Sequence, residues 1–155
     1  MFKIVAFDMD GTIADTIPMC ITAFCNSVSP YTDHELSREE ILHTFGLNEI
    51  GMVKAFVGQN WESVIEDFYC QYESLHNEVT SVFPGILKLI AFLKKKNITV
   101  ALITGKGEKS CTITLEKLGL SEIFDDTLYG SEISPNKKKN MEYLLVFDFW
   151  FYSRK

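Results

Sequence analysis

Apolar positions along the chain follow two periods. Ile4, Val5, Ala6 and Phe7 form an unbroken run that reads as a buried strand, and it gives way at once to Asp8-Met9-Asp10-Gly11-Thr12. From Thr16 the spacing turns helical. Thr16 is placed to cap a helix with Pro18 in its first turn, and Ile17, Ile21, Phe24, Cys25 and Val28 recur until Ser29-Pro30. Ser37 and Glu40 make a capping box that opens a short helix through Ile41, Leu42 and Phe45 to Gly46. Asn48 starts another helix carrying Ile50, Met52, Val53 and Phe56, and Asn60 is expected to cap the longest one. In that helix Trp61, Val64, Ile65, Phe68, Tyr72 and Leu75 mark one apolar face. Residues 16–80 therefore read as all helical, and the aromatic stripe reads as the core of a helix bundle.

Phe83-Pro84-Gly85 ends this stretch, and a helix presenting Ile86, Leu89, Ile90 and Leu93 runs to Lys94-Lys95-Lys96, where the charges suit the helix C-terminus. Ile98 to Ile103 reads as a buried parallel strand ending in Thr104-Gly105-Lys106. Residues 107–118 form a second crossover helix ended by Gly119. Thr127-Leu128-Tyr129-Gly130 gives a third short strand. Strands alternating with helices predict an α/β fold.

Composition narrows the function. With 155 residues, 46% hydrophobic content and twelve Phe, the chain has ample material for one domain or a core with an insertion. A net charge of -6 disfavours nucleic acid as a partner, and no apolar run reaches the roughly 20 residues of a membrane span. Cys20, Cys25, Cys70 and Cys111 show no C-x-x-C spacing, and His34, His43 and His76 are far apart in sequence. Buried free thiols are therefore expected rather than a structural zinc site. Four apolar residues before Asp8 do not make a signal peptide, so a reducing cytoplasm is the expected location.

The acidic turn carries the chemistry. Two carboxylates one residue apart repel each other and are kept together where a cation or a shared proton offsets the repulsion. Gly11 allows a sharp bend with N–H groups turned toward an anion. In an open parallel sheet, the ends of the strands are also where ligands bind. Thr104 and Gly105 end their strand in the same manner, offering a hydroxyl donor and close backbone approach.

Strand then D-x-D-G-T, continued by Ile13-Ala14-Asp15-Thr16, resembles the first motif of the haloacid dehalogenase-like superfamily, most of whose members are Mg-dependent phosphotransferases and phosphatases. Thr104 resembles the second motif. The resemblance implies a Rossmann-like parallel-sheet core from residues 1–15 and 81–155. Residues 16–80 would be an inserted all-helical cap, as in the branch that includes phosphoglycolate phosphatases and beta-phosphoglucomutases. It further implies Asp8 as nucleophile and Asp10 as general acid and base. The Asp8 carboxylate and the Asp10 carbonyl would be ligands to Mg2+, and Gly11, Thr12, Thr104 and Gly105 would bind phosphate. A lysine is expected about seven residues past Gly130, which gives Lys137, with Lys138 and Lys139 as alternatives because the usual flanking prolines are replaced. The implied activity is hydrolysis of a small phosphorylated metabolite. A phosphosugar mutase, a haloacid dehalogenase and a non-catalytic remnant that binds a ligand or partner are the rivals.

Met141 to Leu145 resembles the helix that follows the family's third motif, and the chain departs from the family after residue 145. Val146 to Lys155 stands where a strand ending in an acidic Gly-Asp motif is expected, so three of four motifs are matched and the core is expected to be incomplete at its C-terminus. Asp148 directly follows the predicted helix and is not read as a replacement for the lost acid. The aromatic ending resembles a frameshift or a premature stop. Loss of that strand would leave Ile4 to Phe7 as an exposed apolar edge, available to the aromatic tail or to self-association.

Overall fold

The computed structural model describes residues 3–79, 81–133 and 145–147. Four parallel strands form the sheet: β1 (Ile4–Phe7), β2 (Thr99–Ile103), β3 (Asp126–Leu128) and β4 (Leu145–Phe147), in the order β3-β2-β1-β4. In register, Phe7 lies beside Leu102 and Ile103 beside Leu128, so the three strands run out at one edge of the sheet. Continuous apolar runs suit such strands because both faces are covered. Val5, Phe7, Val100 and Leu102 face one core, while Ala6, Ala101 and Ile103 are buried on the other face.

That order decides between two expectations. β4 pairs with β1, Val5 against Leu145 and Phe7 against Phe147, so the edge that loss of the fourth-motif strand would expose is covered by the start of the aromatic tail, one of the two occupants expected for it. Leu145 is strand rather than the end of a helix. The physical reason is that three successive apolar residues, one β-branched and one aromatic, satisfy the backbone groups that β1 would otherwise leave unpaired. The ground for self-association through β1 falls with it. Asp148 and the segment proposed as a helix before Leu145 lie outside the described residues.

The helices α1 (Ile17–Val28), α2 (Arg38–His43), α3 (Glu49–Val57) and α4 (Trp61–Leu75) follow β1, as the periodicity predicts. They enclose a separate core in which Phe24, Phe68 and Tyr72 are fully buried, with Phe68 stacked on Tyr72 at 5.6 Å. The Ser37–Glu40 capping box forms, and Asn48 caps α3 by accepting from Gly51 N–H at 3.0 Å. Asn60 does not cap α4; it takes a left-handed backbone at φ 66° without a side-chain bond. Thr16 also fails to cap α1, because its hydroxyl is drawn instead to Asp10.

α5 (Ile86–Lys95) and α6 (Glu108–Lys117) pack on the sheet through Ile90, Leu93, Cys111 and Leu115. Polar bonds fasten the helical layer to this core. Tyr72 Oη and His76 Nε2 both meet the Thr114 hydroxyl, at 2.8 and 3.1 Å. Lys54 pairs with Glu132 at 2.6 Å, and Phe83 N–H donates to Ile13 O at 2.8 Å where the chain returns to the sheet.

Candidate functional site

The end of β1 builds the site. Gly11 takes φ 73°, a conformation open to glycine, and this folds the chain back so that Gly11 N–H donates to Ala14 O at 2.9 Å. Ile13 N–H closes the same turn on Met9 O at 3.0 Å, burying Met9 and Ile13 beneath it. Asp8 and Asp10 are left on the partly exposed side, and Met9 N–H donates to Asp8 Oδ1 at 2.8 Å. Thr12 is buried, and among the described residues its hydroxyl has no hydrogen-bond partner.

The loop after β2 forms the adjoining wall. Thr104 is buried; its N–H donates to Leu128 O at 3.0 Å and its hydroxyl accepts from Lys106 N–H at 3.2 Å. Gly130 N–H donates to Lys106 O at 2.7 Å, and a Cβ on Gly130 would lie 1.9 Å from Gly105 O. The loops after β2 and β3 are thus in direct backbone contact.

Sequence reading missed the residue at the centre of the site. Lys106 is 3% exposed, its Nζ lies 3.3 Å from Asp10 Oδ1 and 4.5 Å from the Tyr72 ring centroid, and among the described residues that ammonium has no hydrogen-bond partner. Burial opposes its charge, but Asp10 first among the neighbouring carboxylates, then Glu49, outweighs burial and holds the ammonium well above its ordinary pKa. The Thr16 hydroxyl donates to the same Asp10 Oδ1. One oxygen of Asp10 is therefore held by a hydroxyl and an ammonium together. The signal was present in Thr104-Gly105-Lys106, whose lysine reads in sequence only as a polar residue after a strand.

Glu49 was missed as well. It begins α3, where an acid is commonplace, yet it is 3% exposed and reaches across to α6. Its carboxylate accepts from Gly107 N–H at 2.7 Å and from the Ser110 hydroxyl, and lies 3.9 Å from Lys106 Nζ. Neighbouring Asn48, read as a cap, also donates to Gly130 O at 3.3 Å.

Asp8, Asp10, Gly11, Thr12, Thr104 and Gly105 therefore lie on the loops at the sheet end. Lys137, with Lys138 and Lys139, lies outside the described residues. Cys20 and Cys111 are buried, and burial pushes each thiol up to about 12, so neither is a nucleophile at neutral pH. Cys25 is half-buried and Cys70 exposed, against the expectation of burial.

Among the described residues no three His, Cys, Asp or Glu side chains cluster as a metal site. Mg2+ needs less than that, since it is held through one or two carboxylates while it keeps several waters. Asp8 and the Asp10 carbonyl supply hard oxygen donors of the right chemistry on a partly exposed turn, so the residues present fit the ion.

The haloacid dehalogenase-like hydrolase family matches residues 5–146. Phosphoglycolate phosphatase of Vibrio parahaemolyticus is 26% identical over 152 residues, covering 89% of this chain and 65% of the relative. The phosphorylated carbohydrates phosphatase of Thermotoga maritima is 27% identical, covering 93% and 68%. A beta-phosphoglucomutase structure from Clostridium difficile superposes with a TM-score of 0.72 at 22% identity over 84% of this chain and 62% of its own, a likeness of fold. The chain spans 60% and 65% of the length of the first two curated relatives it matches.

Proposed function

This chain belongs to the haloacid dehalogenase-like hydrolase family, and on that premise we propose that it hydrolyses a small phosphate monoester through a covalent intermediate on Asp8. The observation that carries the reading is the pairing of Asp10 with Thr16 and buried Lys106 at the end of the central strand. Asp8 supplies the nucleophilic carboxylate oxygen. It attacks phosphorus as the bond to the alcohol oxygen breaks. Asp10 gives its proton to that oxygen, then takes a proton from the water that attacks phosphorus and breaks the P–O bond of the Asp8 acyl phosphate, releasing inorganic phosphate and the Asp8 carboxylate.

Because Oδ1 of Asp10 is occupied by Thr16 and Lys106, Oδ2 is the oxygen left to carry the proton. Lys106 also fixes the carboxylate against movement between the two steps. Thr12 and Thr104 hydroxyls, with the turn at Gly11 and the loop at Gly105, are assigned to the phosphoryl oxygens, where developing charge requires donors. Asp8 and the Asp10 carbonyl would hold Mg2+, which when bound offsets negative charge on the phosphoryl group. The helical layer excludes water from the leaving-group side. The relatives' names, phosphoglycolate and phosphorylated carbohydrates, support small phosphorylated metabolites as the substrate class.

The test is hydrolysis of an aryl phosphate by the 155-residue chain with and without Mg2+. Turnover that needs the metal and disappears in Asp8→Asn is expected. Equal turnover in Asp8→Asn would remove Asp8 from the mechanism.

A further inference from the structure

Lys106 is held by groups from both layers. Asp10 and Lys106 follow β1 and β2 at the sheet end, whereas Glu49 begins α3 and Tyr72 lies on α4, in the helical layer. The ammonium has the Asp10 and Glu49 carboxylates at 3.3 and 3.9 Å and sits over the face of the buried Tyr72 ring at 4.5 Å. Among the described residues it has no hydrogen-bond partner, so opposite charge and the ring face keep it in place. A buried ammonium costs several kcal/mol to desolvate and stays only where that cost is offset. Glu49 is itself fixed, because its carboxylate accepts from Gly107 N–H and from the Ser110 hydroxyl at the start of α6.

Asp10 does not supply that offset throughout the reaction. Before it protonates the leaving oxygen it is a neutral acid, and in that state Glu49 is the carboxylate left, among the described residues, to balance Lys106. Resting on the phosphatase reading, we propose that Glu49 is a positioning residue that keeps Lys106 against Oδ1 of Asp10 while Asp10 carries its proton, and so aims Oδ2 at the leaving oxygen. In the step it supports, an Asp8 oxygen bonds to phosphorus, the bond from phosphorus to the alcohol oxygen breaks, and the proton passes from Asp10 Oδ2 to that oxygen. Glu49 touches neither the substrate nor the moving proton. With a neutral side chain in its place the ammonium is unbalanced while Asp10 is protonated, and it leaves its position. Thr16 then holds Oδ1 without Lys106, and Oδ2 is free to turn from the leaving oxygen. The loss falls on alcohols that need the proton.

The experiment compares kcat/KM, with Mg2+ present, for glycerol phosphate, whose alkoxide must be protonated as it leaves, and for p-nitrophenyl phosphate, whose phenolate leaves without a proton. In the covalent mechanism kcat/KM reports the steps through departure of the alcohol, so the later water step does not enter. Glu49→Gln keeps the size of the side chain, an oxygen for Gly107 N–H and an amide group for Ser110, and removes the charge. It should lower kcat/KM for glycerol phosphate at least about tenfold, and that for p-nitrophenyl phosphate less than about threefold. Lys106→Met should give the same split, and adding Glu49→Gln to it should cost less than about a further twofold on glycerol phosphate. Lys54→Met breaks a different contact of the helical layer, the pair with Glu132, and should leave the ratio of the two substrates at its wild-type value. Equal losses on both substrates in Glu49→Gln overturn the proposal, as does no loss on glycerol phosphate. So does the absence of the split in Lys106→Met, a larger further loss in the double variant, or a ratio that Lys54→Met moves as far as Glu49→Gln. Circular dichroism checks folding. If Glu49→Gln alone does not fold, Lys106→Met against the double variant still decides, since a further loss there means that Glu49 acts other than through Lys106. Turnover of neither substrate by the wild-type chain, or turnover undiminished in Asp8→Asn, overturns the phosphatase reading itself, a result distinct from turnover with the wrong ratio.

Discussion

Replacing Lys106 by methionine keeps an unbranched side chain one atom shorter and removes a buried charge that two carboxylates share. At an effective dielectric near 20, the attraction is about 5 kcal/mol to Asp10 at 3.3 Å and about 4 kcal/mol to Glu49 at 3.9 Å, before desolvation is subtracted. Desolvating the ammonium offsets several kcal/mol of this, and the Asp10 side chain is 25% exposed, so its share is further reduced by solvent. Glu49 is different. Its side chain is 4% exposed, and without Lys106 its partners among the described residues are Gly107 N–H and the Ser110 hydroxyl. The single variant is therefore expected to lose about 2–4 kcal/mol of stability, at or below the range for breaking a buried pair. In the double variant Lys106→Met, Glu49→Gln the stranded charge is gone, and about 1–3 kcal/mol of that loss should be recovered relative to additivity. Urea unfolding followed by circular dichroism on wild type, both singles and the double gives the coupling directly. Losses that add to within about 0.5 kcal/mol would refute the claim that Glu49 and Lys106 balance each other.

Two further outcomes follow from the packing. Gly130→Ala places a Cβ 1.9 Å from Gly105 O, a clash with backbone that no rotamer relieves. It should cost about 3 kcal/mol or more in urea unfolding, and a loss under about 1 kcal/mol would contradict the contact between the two loops. His76 is buried beside Thr114 and Tyr72; burial, with Lys106 and Lys117 nearby, lowers its pKa below the ordinary 6.5. A lowered pKa means the unfolded chain takes up the proton first, so its contribution is full above pH 6.5 and is lost as pH falls through the lower, folded value. The urea midpoint should fall between pH 7.5 and 5.5 in wild type and fall less in His76→Gln; equal falls would remove His76 as the cause.

Much of this molecule is legible one residue at a time. The run Ile4 to Phe7, the helical stripe of Val64, Ile65, Phe68 and Tyr72, and the Ser37–Glu40 box are set by side-chain periods and capping chemistry that act over a few positions. Asp8, Asp10 and Thr104 are likewise visible because each follows directly on an apolar strand. Contacts between distant segments are another matter. Thr16 gives up its cap for Asp10, and Lys106 and Glu49, 57 positions apart in the chain, meet because the first residue of α3 bonds Gly107 and Ser110 at the start of α6. Local sequence cannot encode that meeting, since a first-turn glutamate and a lysine after a strand each satisfy ordinary rules where they stand. The pairing of β4 with β1 belongs to the same class: the residue types of Leu145 to Phe147 suit a strand, but which strand they join is a contact between segments 140 positions apart.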